Sequence, residues 1–206
     1  MTRRGRFITV EGGEGTGKST LIAGLETHLL DDGIAVTVTR EPGGTQLAEA
    51  VRALVLSPPG GHRWSALSEA LLVYAARRDH LENIIIPALE AGAWVICDRF
   101  ADSTRVYQGL GGLDQDSIDT LDKLVVGTSQ PDRTLILDGP VQDLLSRRRD
   151  RGMSDVFESM PIDFHEKVRE AFLDIASRDP ERCRVIDAMQ APDDVLKAAL
   201  SKLHED

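Results

Sequence analysis

The amino-acid sequence predicts an α/β fold with a central parallel sheet, on three observations. Short apolar runs at residues 7–10, 93–97 and 134–137 are nearly continuous, the pattern of strands covered on both faces. Stretches with helical spacing separate these runs, as crossover helices do in a parallel sheet. The first run enters a glycine-rich loop, Gly12, Gly13, Glu14, Gly15, Thr16, Gly17, Lys18, Ser19 and Thr20, followed by a helical stripe of Leu21, Ile22, Leu25 and Leu29. A strand, a glycine loop closed by Lys-Ser and a helix form the context of a phosphate-binding P-loop.

Each further element follows from local signals. Asp32-Gly33 stops the first helix, and residues 34–39 are β-rich. Arg40-Glu41-Pro42-Gly43-Gly44-Thr45 then stands at the carboxyl end of that strand, the edge where open parallel sheets collect ligands. Helical spacing returns at residues 46–56 through Leu47, Val51, Leu54 and Val55, and Ser57-Pro58-Pro59-Gly60-Gly61 is a loop. A long helical pattern runs from Ser65 to about Gly92, with Leu71, Leu72, Ala75 and Ala76 expected on its apolar side and Pro87 marking a kink or break.

Residues 93–97 form a strand that ends in Asp98-Arg99-Phe100. The polar, glycine-rich stretch 102–112 reads as a loop, and 115–126 as a helix. Another strand at 134–138 ends in an acid, and a helix starting at 141 runs into an arginine-rich segment up to Glu158. A helix at 164–176, a short strand at 184–187 and a closing helix at 193–203 complete the series. A length of 206 residues suits one core, so the expectation is a single domain over 1–206 with a lid segment at about 147–160.

Composition narrows the function. A formal net charge of −10 argues against nucleic acid as the main partner, so an anionic substrate has to be held by local clusters of Arg and Lys. The two cysteines, Cys97 and Cys183, lie in apolar stretches and read as reduced thiols of a cytoplasmic protein, with a bridge between them as the other reading. No signal-peptide pattern follows Met1-Thr2-Arg3-Arg4, and no stretch approaches the length of a membrane span, so no membrane partner is expected.

The glycines of the loop let successive N–H groups turn inward toward a phosphate, and the following helix adds its positive end. Lys18 is placed to reach the β/γ-phosphates of ATP and the Ser19 hydroxyl to hold Mg²⁺. Three further clusters bear on where the phosphoryl group goes. At the end of a buried strand, Asp98 can bind Mg²⁺ directly or through water and Arg99 can clamp a phosphate, although a plain strand-end salt bridge is the other reading. In Arg147-Arg148-Arg149-Asp150-Arg151, like charges repel by roughly a few tenths of a kcal/mol per close pair unless an anion neutralises them; the alternative is a solvated helix end. The P-loop has no arginine among Gly13, Glu14, Gly15 and Thr16, which makes this Gly152-interrupted segment the best candidate for a lid that closes on ATP. Glu14 either accepts a hydrogen bond from an acceptor's sugar hydroxyl or simply faces solvent.

As a set, these residues resemble the thymidylate kinase family over essentially the whole chain. The resemblance rests on Phe7-Ile8-Thr9-Val10-Glu11-Gly12, the P-loop, Thr39 to Thr45, Leu71-Leu72-Val73-Tyr74-Ala75-Ala76-Arg77 and Trp94 to Phe100. It continues through Asp102-Ser103-Thr104, Tyr107-Gln108-Gly109, Pro131-Asp132 and Leu135-Ile136-Leu137-Asp138. It implies a five-stranded parallel P-loop nucleoside-monophosphate-kinase fold, transfer of the γ-phosphoryl of ATP to dTMP, Mg²⁺ dependence and a homodimer. By position, Lys18 and Arg99 would contact the transferring group, Arg99 with Arg40 would neighbour the dTMP phosphate, and Asp98 would serve the metal. Glu14 would meet the sugar 3′-hydroxyl, Arg77 the thymine, and Ser103, Tyr107 and Gln108 would complete that pocket, Tyr107 also crowding the sugar's 2′ position. Arg147, Arg149 and above all Arg151 would supply the arginines that the P-loop lacks, with adenine near Ala188 and Gln190. Two positions depart from the pattern: Val73 stands where many relatives stack a phenylalanine on thymine, and Val156 where some lids carry arginine.

A kinase for another nucleoside monophosphate would differ only around Arg77 and Gln108. A GTP-binding switch would need a late Asn-Lys-x-Asp motif, and Asp122-Lys123 lacks the preceding context. The acidic balance and single small domain disfavour a nucleic-acid motor.

Overall fold

The computed structural model describes residues 4–148, 157 and 160–204, without the side chains of 148 and 204. Five strands, β1 (Phe7–Gly12), β2 (Val36–Arg40), β3 (Trp94–Asp98), β4 (Arg133–Asp138) and β5 (Cys183–Asp187), form one parallel sheet in the order β2-β3-β1-β4-β5. Alternation along the strands sends Ile8, Val10, Ile96, Leu135 and Leu137 to one face and Phe7, Val95, Cys97 and Ile136 to the other. On the first face pack α1 (Lys18–Asp31) and α9 (Pro192–His204), through Leu21, Leu25, Val195 and Ala199. The opposite face is covered by α3 (Ala66–His80), α4 (Ile86–Glu90), α5 (Ala101–Leu110) and α8 (Ile162–Arg178). The helices α2 (Gln46–Leu56), α6 (Gln115–Val125) and α7 (Val141–Arg148) complete the described set.

Register explains the gathering of charge at one edge. The pairings Val10↔Asp98 and Arg40↔Asp98 place the carboxyl ends of β1, β2 and β3 in one row, with the P-loop leaving the central strand between β3 and β4. That is the switch point at which open α/β sheets bind ligands. Both cysteines are free and buried, Cys97 on β3 and Cys183 at the start of β5.

Three expectations are corrected. Residues 102–112 are mostly helix, in α5, whose buried face carries Asp102, Thr104 and Gln108 beside Ala101 and Val106. A helix that turns polar residues inward hides its stripe from a hydrophobic reading. In α3 the buried stripe is Ala70, Val73, Tyr74, Arg77 and His80, with Ala76 buried beside it as expected, while Leu71 and Ala75 are exposed. The spacing is i, i+3, i+4, i+7, but an arginine and a histidine occupy two of its places. The long pattern also breaks earlier than Pro87, in a π-helical turn at Leu81–Ile85 where Ile86 N–H donates to the Leu81 carbonyl.

Candidate active site

The P-loop follows β1 with backbone that only glycine accepts readily. Gly15 has φ +75°, and a Cβ there would stand 2.2 Å from the Leu144 carbonyl oxygen. Gly17, at φ 89°, leads into α1, so Lys18 opens the helix. The Lys18 ammonium donates to the carbonyls of Gly12 at 3.1 Å and Gly13 at 2.8 Å. Burial, reinforced by nearby Arg99, lowers its pKa to about 8, against the opposing pull of Glu14, Asp98 and Glu11.

Arg99 is the one described non-glycine residue with positive φ, 68°. Its guanidinium reaches both sides of the site. Nη1 donates to the Gly12 carbonyl at 3.1 Å and to Ser103 Oγ at 3.2 Å, and Nη2 to Glu14 Oε1 at 2.7 Å. The group also lies 5.3 Å from the Tyr107 ring centre. Burial works against its charge, but Tyr107, Glu14, Glu11 and Asp98 outweigh that and hold it firmly protonated. Glu14 is therefore an ion-pair partner and not a solvent-facing acid. Asp98 makes no salt bridge among the described residues, and its buried Oδ1 has no hydrogen-bond partner.

Glu11, fully buried at the end of β1, accepts from Phe100 N–H at 2.7 Å, Ser103 N–H at 3.3 Å and Ser103 Oγ at 2.7 Å. It thus caps α5 from another element, in place of a local capping side chain. Burial and Asp102 raise its pKa to about 7, opposed by Arg99 and these hydrogen bonds.

Deeper in, Arg77 is 1% exposed. Its Nε donates to Glu41 Oε2 at 2.7 Å and its Nη2 to Thr104 Oγ1 at 3.0 Å, while Nη1 is buried without a partner. The guanidinium lies 4.8 Å from the Tyr74 ring centre and 5.1 Å from that of Phe100. His80 holds the other oxygen of Glu41 at 3.1 Å. Tyr74 points away from the site, its hydroxyl donating to the Ile118 carbonyl, so Val73 is the residue that lines the cavity.

A single cavity of about 1030 Å³ joins these parts, from Gly15, Lys18 and Ser19 past Arg99 to Arg77, Tyr107 and Gln108. Arg40 lines it while paired with Glu49 at 3.0 Å, and Arg147 lines it while donating to the Ala188 carbonyl at 2.9 Å. Ala188 and Gln190 also face it. Arg149 and Arg151 lie outside the described residues. Arg52 and Thr104 are cavity residues that sequence reasoning missed. Arg52 donates to the Pro42 carbonyl at 2.9 Å and is the only cation of α2. Its i, i+4, i+7 spacing with buried Ala48 and Val55 was a legible sign of an inward cation.

A five-stranded parallel sheet with an amide cradle on its central strand, and a second cation-lined pocket opening into the same cavity, defines a P-loop nucleotide kinase. Comparison with known proteins agrees. The family described as thymidylate kinase matches residues 10–199, and the chain belongs to that family. A thymidylate kinase of Bradyrhizobium sp. strain BTAi1 is 51% identical over 196 residues, covering 93% of this chain and 86% of that one. One of Caulobacter vibrioides is 51% identical over 199 residues, covering 96% and 95%. The crystal structure of thymidylate kinase from Ehrlichia chaffeensis superposes with a TM-score of 0.80 at 38% identity, covering 98% of this chain and 100% of that chain.

Proposed function

We propose that the chain transfers the γ-phosphoryl group of ATP to dTMP, giving dTDP and ADP. The observation that carries this reading is the continuous cavity with the P-loop at one end, Arg77 at the other, and Arg99 touching both the P-loop and α5. ATP would lay its phosphates on the amides of residues 12–20 and Lys18, with adenine near Arg147, Ala188 and Gln190. The dTMP phosphate would meet Arg99, Arg40 and Arg52, its 3′-hydroxyl Glu14, and its base Arg77, Gln108, Ser103 and Tyr107. Arg99 is then positioned to stay on the phosphoryl group as charge develops on its oxygens. Arg149 and Arg151 would add the charge that an arginine-free P-loop lacks.

Mg²⁺ fits the donor set. The orphaned Asp98 Oδ1 and the exposed Ser19 hydroxyl would be its oxygen ligands, and no group of three or more His, Cys, Asp or Glu that could hold a metal occurs among the described residues. Two protein oxygens leave the remaining positions to water and phosphate, as magnesium prefers. When bound it neutralises phosphate charge. The homodimer belongs to the same proposal, supported by exposed Leu47 and Leu54 on α2 and Leu67 and Leu71 on neighbouring α3. A cytoplasmic setting fits the two free thiols, and no described helix is long and apolar enough to cross a membrane.

An acceptor screen tests the reading. With ATP and Mg²⁺, ADP should form rapidly only when dTMP is present. Comparable turnover with CMP, or none with any monophosphate, overturns it.

A further inference from the structure

The amide of Gln108 is held from the side by a residue with no place in the phosphate chemistry. Its Nε2 donates to Glu69 Oε1 at 2.7 Å, from α5 across to α3. An ionised carboxylate only accepts, so the amide must turn its NH₂ edge toward Glu69. Burial raises the Glu69 pKa, while the Gln108 hydrogen bond and nearby Arg63 work against that rise. The Gln108 carbonyl oxygen accepts nothing among the described residues, and Gln108 lines the cavity beside Arg77. With Arg77 Nε and Nη2 already committed, its buried Nη1 is a donor awaiting an acceptor. This wall therefore offers one fixed donor and one fixed acceptor.

We propose that Glu69 is a positioning residue for base selection: by fixing which way the Gln108 amide faces, it admits a pyrimidine with a proton on N3 and excludes one without. The inference rests on the dTMP kinase reading. Thymine and uracil present an acceptor at O4 beside a donor at N3, which complements Arg77 Nη1 and the Gln108 carbonyl. Cytosine presents the reverse pair, a 4-amino donor beside a bare N3, and both contacts become repulsive. Without the pin, the amide can turn over and offer its NH₂ to the bare N3. Sites that must leave buried polar groups unpaired reject a mismatched substrate far more strongly than apolar pockets do.

The test compares kcat/KM for dTMP, dCMP and dUMP in the wild type, Glu69→Gln and Glu69→Leu. Glutamine keeps the size of the side chain but can pair with the amide in either orientation; leucine removes the pairing. The dTMP-to-dCMP ratio should fall by about tenfold or more in both variants, the scale on which a few mispaired groups sort substrates. The dTMP-to-dUMP ratio reads only the 5-methyl group and should hold. A parallel fall for all three substrates, or an unchanged dTMP-to-dCMP ratio, overturns the role of Glu69. Wild-type protein that ignores dTMP would instead overturn the underlying reading.

Discussion

The donor and acceptor ends of the cavity are built from different materials. At the proposed donor end the phosphate-facing groups would be main-chain amides of one short loop, joined by Lys18 at the start of the next helix, with Arg147 and Gln190 lining the cavity beyond them. At the acceptor end they are side chains from β2, α2, α3 and α5, each held by a partner of its own: Arg40 by Glu49, Arg52 by the Pro42 carbonyl, Arg77 by Glu41, Gln108 by Glu69. A backbone site needs only the right turns. A side-chain site also needs a second layer that fixes every rotamer, and that layer is where selectivity between bases can be set.

Arg99 spans the two ends, so its removal is the sharpest way to break the contrast. Arg99→Ala should lower kcat by about 10³-fold, on the scale of lost transition-state donors and arginine fingers. Steady-state kinetics with both nucleotides check this, and a change confined to one KM would assign Arg99 to one end only. Arg77→Met should act on the acceptor end alone, lowering kcat/KM for dTMP by about 10- to 100-fold through a lost charged hydrogen bond. The KM for ATP should hold. Because Glu41 loses its buried arginine partner and keeps only His80, unfolding free energy should also drop by about 3–5 kcal/mol, read by denaturant titration.

The smallest effect concerns the donor end and pH. The Lys18 pKa is lowered to about 8 in the free chain, and bound phosphates favour the charged amine and raise it. Below pH 8 the lysine is charged before ATP arrives; above it, binding must take up a proton. Apparent ATP affinity should therefore fall by up to about tenfold per pH unit above 8, while kcat at saturating ATP persists. Affinity flat to pH 10 would show that Lys18 stays charged unaided.

What the sequence disclosed follows the same division. The P-loop, the five strand segments and the charged strand ends were legible because local turns and apolar runs encode them, whereas the strand order was not read from the sequence. Lys18, Arg40, Arg77, Asp98, Arg99, Ser103, Tyr107 and Gln108 all line the one cavity. The helix carrying Ser103, Tyr107 and Gln108 was missed, since its inward face is polar and Glu11 caps it from 89 positions away. The stripe of α3 was placed correctly only at Ala76, for a related reason: Arg77 and His80 are buried by partners, not by their own hydrophobicity. Arg52 was passed over although its spacing gave it away.

The carboxylate of Glu11 has a mechanical meaning as well. It bolts the start of α5 to the very strand that feeds the phosphate loop, so the grips on donor and acceptor share one chassis. Two nucleotides must enter and two must leave without those grips parting. Any rearrangement that brings two bound nucleotides together has to carry β1 and the start of α5 as one unit.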